Sequence, residues 1–437
     1  MPHRLSLRRP VTPRVGEVVT HGPGPSTMTA PMFRALGLVL LGLAGCRSPA
    51  RAPSVDPLTA PFEKVVEEAR GKTVRWFFWS GDGTINRYVD EYVIPTVNQR
   101  FGITLVRVPV DDPAIAINRL LAEKRAGKKD GVVDLLWVNG ENFRTGKAEG
   151  LFFGPFASRL PNLRFVDSLD EAVRLDFGVA TEGFESPWNR AQFVFIYDTD
   201  KVSEPPRSLE ALTKFIEAHP GRFTYPAPPD FTGSAFVRHV LYGLAKSPGE
   251  LSGPVDEARW SAFSPRLFAV LEGWKPHLWQ QGRTFPESSS RLHQLFAQGE
   301  VWLSMSYGPE TASSRIREGL FPPTTRTFVL DQGTIANTNF VAIPFNSQNA
   351  GAAMVVADFL LSPEAQLKKQ DPAVWGTHSV LAVQRLPPEL KEQFLAQPRG
   401  PATLAPAELR AHALPELDPS WIDRLEASWR EAQRAPQ

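Results

Sequence analysis

Asp134-Leu135-Leu136-Trp137-Val138-Asn139-Gly140-Glu141-Asn142-Phe143 is an apolar run that stops at a polar turn. Residues 132–138 read as a buried strand, and Asn139-Gly140 marks the turn that ends it. Upstream, Val74-Arg75-Trp76-Phe77-Phe78-Trp79 reads as a first buried strand, and residues 103–110 as a second. Between those two, Ile85, Val89, Tyr92, Val93 and Val97 recur at helical spacing, with Pro95 expected to kink or divide the helix. Asp112-Pro113 opens another helix, whose inner stripe is Ile117, Leu120 and Leu121 and whose end is Gly127. Strand, helix, strand, helix, strand in this order implies a parallel sheet covered by helices, and hence an α/β fold.

The pattern continues downstream. Strands are expected at 193–197, briefly at Phe223-Thr224-Tyr225, and at 301–305, 327–330 and 340–343. Helices are expected around Leu209 to Ile216, Phe236 to Leu244, Leu292 to Ala297 and Ala350 to Leu361. In open parallel sheets, ligands sit beyond the carboxyl ends of the strands. That rule singles out four loops, 79–83, 139–143, 225–234 and 307–311, as the lining of one cleft between two α/β lobes.

The chain has 437 residues, enough for two or three domain-sized units. Its 48 Lys plus Arg against 47 Asp plus Glu give a formal net charge of +1. That balance supplies no basic field for binding a phosphate backbone, so nucleic acid is not expected as a partner. Cys46 is the single cysteine, which excludes thiolate-held zinc or iron–sulfur centres, and the eight histidines are scattered. Neither a bound metal nor a cofactor is expected.

Residues 35–43 form a short apolar stretch, preceded by Arg34 and followed by Ala44-Gly45-Cys46. It is too short to span a bilayer and has the parts of a secretion signal. Leu43-Ala44-Gly45-Cys46 resembles a bacterial lipobox, in which Cys46 becomes the lipidated first residue. Residues 1–46 are therefore expected to be a leader and 47–71 a tether, with the protein outside the cytoplasm and anchored to a membrane through Cys46.

The 134–143 run, with Gly150-Leu151-Phe152-Phe153-Gly154-Pro155-Phe156 and Val355-Val356-Ala357-Asp358-Phe359-Leu360-Leu361-Ser362-Pro363-Glu364-Ala365-Gln366, resembles the solute-binding proteins of bacterial ABC importers. The second of these longer stretches is shared widely among type 2 periplasmic-binding proteins. The resemblance implies two lobes, each a helix-covered, mainly parallel sheet, joined by hinge strands near 190–197 and 334–343. It implies lobe 1 over 72–189, lobe 2 over 190–335, and a return to lobe 1 with C-terminal helices over 336–437. The partners it implies are a small solute, an ABC permease and the permease's ATPase subunits.

Within the four loops and the hinge, candidate ligand residues are Trp79, Ser80, Asp82, Asn139, Glu141, Asn142, Trp188, Tyr225, Thr232, Ser234, Tyr307 and Asn339. Each also has a structural reading. Gly81 and Gly83 suit a tight turn, and Asn86 spoils a dinucleotide fingerprint. Trp188 suits either stacking on a flat solute or hinge packing. Thr232 and Ser234 begin a helix whose amides suit an anion, unless Ser234 only caps it. Tyr307 and Glu310 suit ligand contact or surface exposure, and Asn337 and Asn339 suit turns or ligand donors. Rings beside Asp82, Glu141 and Glu310 suit an organic cation or heteroaromatic solute, thiamine-like or polyamine-like. A small oxyanion or sugar is the alternative, with Arg75, Arg144 and Arg190 as possible anion partners. No nucleophile elbow or P-loop occurs, so an enzyme is not expected; an extracytoplasmic hydrolase would have to pair Asp82 with Glu141.

Overall fold

The computed structural model describes residues 55–434. The expected leader and the lipid anchor at Cys46 lie outside the described residues. Strands β1 (Thr73–Trp79), β2 (Thr104–Val110) and β3 (Leu135–Val138) form the expected parallel block, with β1 between the other two. β3 is buried at all four positions, as befits a strand covered on both faces. The helical stretch containing Pro95 runs as Gly83–Tyr88, a π-helical turn Val89–Val93, and Ile94–Phe101. The wider turn stands where the proline removes a donor and crowds the preceding carbonyl, so the helix is eased and not broken.

After a two-strand hairpin, β4 (Leu175–Asp176) and β5 (Val179–Ala180), the chain enters β6 (Glu185–Gln192) and then β7 (Val194–Asp198). β8 (Leu303–Ser306) and β9 (Thr325–Phe328) flank β7, and both run antiparallel to it. A mainly parallel sheet was expected here as well. The helix–strand alternation is real, but successive strands β8 and β9 are not neighbours, so no right-handed crossover between adjacent strands is required. The brief strand at 223–225 does not form; Arg222 and Phe223 give their carbonyls to the loop amides of Trp302 and Trp279.

β10 (Thr334–Ala342) returns the chain to the large sheet. It pairs antiparallel with β6 from Ala336↔Gln192 to Ala342↔Glu185, with an irregularity at Asn339/Phe340, and antiparallel with β3. β11 (Ala413–Leu414) adds a short parallel pairing at its start. The six-stranded sheet thus runs β11-β10-β3-β1-β2, with β6 also on β10.

Two large hydrophobic cores result. One packs Trp76, Phe78, Trp137, Trp188 and the Ala350–Leu361 helix against the large sheet. The other packs Phe193, Phe195, Phe236, Leu267 and Phe328 around the small sheet. The chain changes core between Trp188 and Phe193, and again between Ile335 and Val341. A third change falls between Phe394, in the first core, and Ala402, in the second.

That third crossing corrects the expected division. Trp421, Leu425 and Trp429 of the C-terminal helix Pro419–Arg434 belong to the second core and do not rejoin the first. They recur every four residues, a stripe that one helix face must bury. The tether reading also fails in part: Phe62–Ala69 is a helix with Val65 and Ala69 buried, and Val65 lies close to Gly351.

Candidate functional site

Phe231, which starts the Phe231–Leu244 helix, packs on Tyr307 after β8 and on Phe177, which lies against Gly140 after β3, while the β1 loop faces the β8 loop at Glu310. In the β1 loop, the Trp79 ring folds onto Gly81 so closely that a Cβ there would lie 2.2 Å from the indole. Gly81 therefore serves ring packing, not a phosphate. Asp82 caps the next helix, accepting from the Thr84 and Ile85 amides at 2.7 and 3.1 Å. Ser80 accepts from Arg107 and donates to the Phe78 carbonyl.

Asp82 and Thr84 face Glu310, Thr311, Ser314 and Trp375 across a cavity of about 10 Å³. That is room for about one water. Glu310 is buried, and the Trp375 indole donates to its Oε1 at 2.8 Å while Oε2 has no hydrogen-bond partner. Burial, with Asp82 adding repulsion, pushes Glu310 up to about 7. Lys369 is also buried and is held by Asn189 Oδ1 at 3.1 Å, and desolvation lowers it well below the usual lysine range.

At the end of β3, the Gly140 amide donates to Asp176 Oδ2 at 2.7 Å. Asp176 is buried with Oδ1 unpartnered, and desolvation raises it to about 8. Glu185 nearby is buried with both oxygens unpartnered, and burial raises it well above its ordinary value. Asn139 and Asn142 are half-buried at this loop, and Glu141 is exposed. Partial desolvation of its carboxyl raises Glu141, with further repulsion from Asp423, Glu426 and Asp112.

The second core supplies a buried polar network. Arg238 donates to Ser234 Oγ at 2.8 Å and lies 3.3 Å from Glu416 Oε2, both side chains being 3% exposed or less. Tyr307 and Asn337 both donate to Glu416 Oε1, and Ser234 donates to Glu426 at 2.7 Å. Asn189 donates to Asn339 at 3.1 Å, joining the two crossing strands. Asn339 is thus spent on the hinge, as Tyr307 and Ser234 are on the network, while Thr232 is buried at the helix start.

Two expected ligand residues are core. Trp188 is enclosed by the rings of Trp76, Phe78, Trp137 and Trp375, which leave no face for a solute. Tyr225 packs on Phe236 and Phe285, and its hydroxyl accepts from the Trp429 indole. Ser234 does not cap its helix; Asp230 does, accepting from the Gly233 amide at 2.9 Å. A carboxylate on those amides repels an anion. The three arginines held open for an oxyanion are likewise paired: Arg75 with Asp134, Arg144 with Asp423, and Arg190 with Asp170.

Arg238, Glu416, Glu426, Asp176, Glu185, Lys369 and Trp375 were not singled out in the sequence. Only Ser234 and Arg238 carry a local signal, being four apart on one helix face.

Residues 93–392 match the family described as bacterial extracellular solute-binding protein. The chain belongs to that family. This solute-binding protein is 42% identical over 369 residues to Protein YnjB of Escherichia coli strain K12, covering 84% of this chain and 92% of that one. Its fold is similar to that of the spermidine/putrescine ABC transporter substrate-binding protein PotD from Streptococcus pneumoniae, with TM-score 0.58 at 15% identity over 83% of this chain and all of the other. It is also similar to a periplasmic thiamin binding protein, with TM-score 0.52 at 17% identity over 83% and 96%. As a member of that family, the protein is an extracellular solute-binding protein.

Proposed function

We propose that the solute is an organic cation, polyamine-like or thiamine-like, captured between the two cores by bending of β6 and β10 and then delivered to the permease. One observation carries this reading. Asp176, Glu185 and Glu310 each bury an oxygen without a hydrogen-bond partner, while the buried cation Arg238 is already paired with Glu416. Uncompensated buried carboxyls are costly, and a protonated amine or thiazolium-like group offsets that cost. The structural neighbours named for spermidine, putrescine and thiamin agree in charge. Lipidation of Cys46 would hold the protein at a membrane face near its permease.

On this reading, the small cavity and the pairs that bridge the cores belong to a shut state. Arg87 meets Glu318 at 3.3 Å, and Arg144 meets Asp423 at 3.8 Å. A solute larger than water enters only after these separate, which is hinge opening. Thermal melts with putrescine, spermidine, thiamine, glucose, sulfate and phosphate test the reading. Cations should raise the melting temperature, a ligand at a hundred times its Kd adding about 2.7 kcal/mol. Stabilisation by sulfate, phosphate or glucose alone would overturn it.

A further inference from the structure

We propose that the cavity between Asp82 and Glu310 seats an unsubstituted primary ammonium group, so that the solute presents a protonated primary amine and not a fully substituted nitrogen. The inference rests on the cation reading above and narrows it from organic cations in general to primary amines.

Both cores build the cavity. Asp82 caps the helix that follows β1, Thr84 lies in that helix, and Trp375 belongs to the first core. Opposite stand Glu310, Thr311 and Ser314, at the start of a helix whose Ala312 packs in the second core. An occupant therefore touches both halves at once, as a solute that holds them together must.

Glu310 is 7% exposed. Its Oε1 accepts from the Trp375 indole, and a Cβ at Gly308 would stand only 3.0 Å from that oxygen. Oε2 is left buried with no hydrogen-bond partner. Buried carboxylate oxygens are normally satisfied, so this one calls for a donor from outside the chain. The cations that share its surroundings are engaged elsewhere. Lys369 donates to the Trp188 carbonyl and to Asn189 Oδ1. Arg315, which also lines the cavity, pairs with Glu318 at 3.0 Å, and so does Arg87 at 3.3 Å. Among the described residues no ion pair involves Glu310, unlike Glu416, which has Arg238 at 3.3 Å.

Size and donor count then select the headgroup. At about 10 Å³ the space holds one water-sized group. A primary ammonium is about that size and brings three donors with a full charge. Glu310 Oε2, the Asp82 carboxylate and the hydroxyls of Thr311 and Ser314 are its acceptors. Methyl groups on the nitrogen remove donors and add bulk that the cavity cannot take, and a thiazolium nitrogen has no N–H to give. An anion would meet two carboxyls here. A neutral hydroxyl would leave the repulsion between Asp82 and Glu310 uncancelled.

Titration calorimetry with putrescine, spermidine, tetramethylputrescine and thiamine tests the inference. Tetramethylputrescine, methylated on both nitrogens, keeps the chain and both charges and loses N–H donors. Putrescine or spermidine should bind, and tetramethylputrescine and thiamine should each bind at least tenfold more weakly. Glu310→Gln keeps an acceptor for Trp375 and should weaken binding of the primary amine at least tenfold. Asp82→Asn retains a helix cap and should weaken it as well. If Glu310→Gln fails to fold, Asp82→Asn and the wild-type ligand series decide. Three results would each overturn this inference and leave the cation reading standing: equal affinity for putrescine and tetramethylputrescine, tighter binding of thiamine than of either primary amine, or binding within twofold of wild type in Glu310→Gln with loss in Asp176→Asn. A wild type that binds none of the four cations would remove both.

Discussion

The two buried clusters at either end of the crossing strands are opposites. Below the large sheet, Trp76, Phe78, Trp137, Trp188 and Trp375 meet edge to face or tilted at centroid distances of 4.8 to 6.1 Å. Beside the small sheet, Arg238, Glu416, Tyr307 and Asn337 meet through directed polar contacts. The first cluster holds by ring-on-ring packing, with Lys369 and Glu310 meeting it at Trp188 and Trp375. The second sits where the two cores join, and its worth depends on which groups are charged and how they are aligned. Aromatic packing fixes the halves, and polar contacts set how they meet.

Four measurements break or sharpen that contrast. Trp188→Ala should have the largest effect, a loss of about 3–5 kcal/mol in denaturant unfolding. Any folded fraction should keep its solute affinity, since the ring is enclosed by protein. Glu416→Gln should cost about 1–3 kcal/mol, because Arg238 is left buried beside a neutral partner. A second effect should follow pH. The carboxyl of Glu310 has a folded value of about 7 against 4.5 for the free side chain. Its stabilising share is therefore complete below pH 4.5 and is lost as pH rises through 7. Unliganded protein should melt lower at pH 8 than at pH 5.5, and Glu310→Gln should flatten that slope. Arg87→Ala should have the smallest effect, under about 1 kcal/mol in stability, because its partner Glu318 lies at the surface. Its signature should be a faster solute on-rate in stopped flow, from easier opening.

The sequence made the first core legible because its signals are local. The apolar runs at 74–79 and 134–138 are buried strands, and the helix stripe over 350–361 is buried almost all round. The expected crossings at 190–197 and 334–343 fall on β6–β7 and β10, where the chain changes core. The antiparallel small sheet was not legible, because pairing between Val194–Asp198 and strands more than a hundred residues away leaves no trace in local spacing.

The site was half legible. The strand-end rule singled out Asp82, Glu141 and Ser234, and the structure places Asp82 across from Glu310 and Ser234 on Glu426. Tyr225 came from the same rule and Trp188 from its place before the expected hinge strand, and both turned inward, for a backbone position says nothing of which way a ring rotates. Glu416 lies in a stretch with no motif, and its role follows only from three partners brought together by folding.

The passage from Phe394 to Ala402 has a mechanical consequence. Its far end is fastened: the Ala402 amide donates to Ser313 Oγ, its carbonyl accepts from Thr327, and Gly400 is pressed on Ser313 too closely for a Cβ. The near end is fastened by Gln370, which donates to the Phe394 carbonyl. Eight peptide steps stretch to roughly 28 Å at most. Were the two cores to part along β6 and β10, this span would act as a leash while both anchorages held, capping how wide the opening could gape.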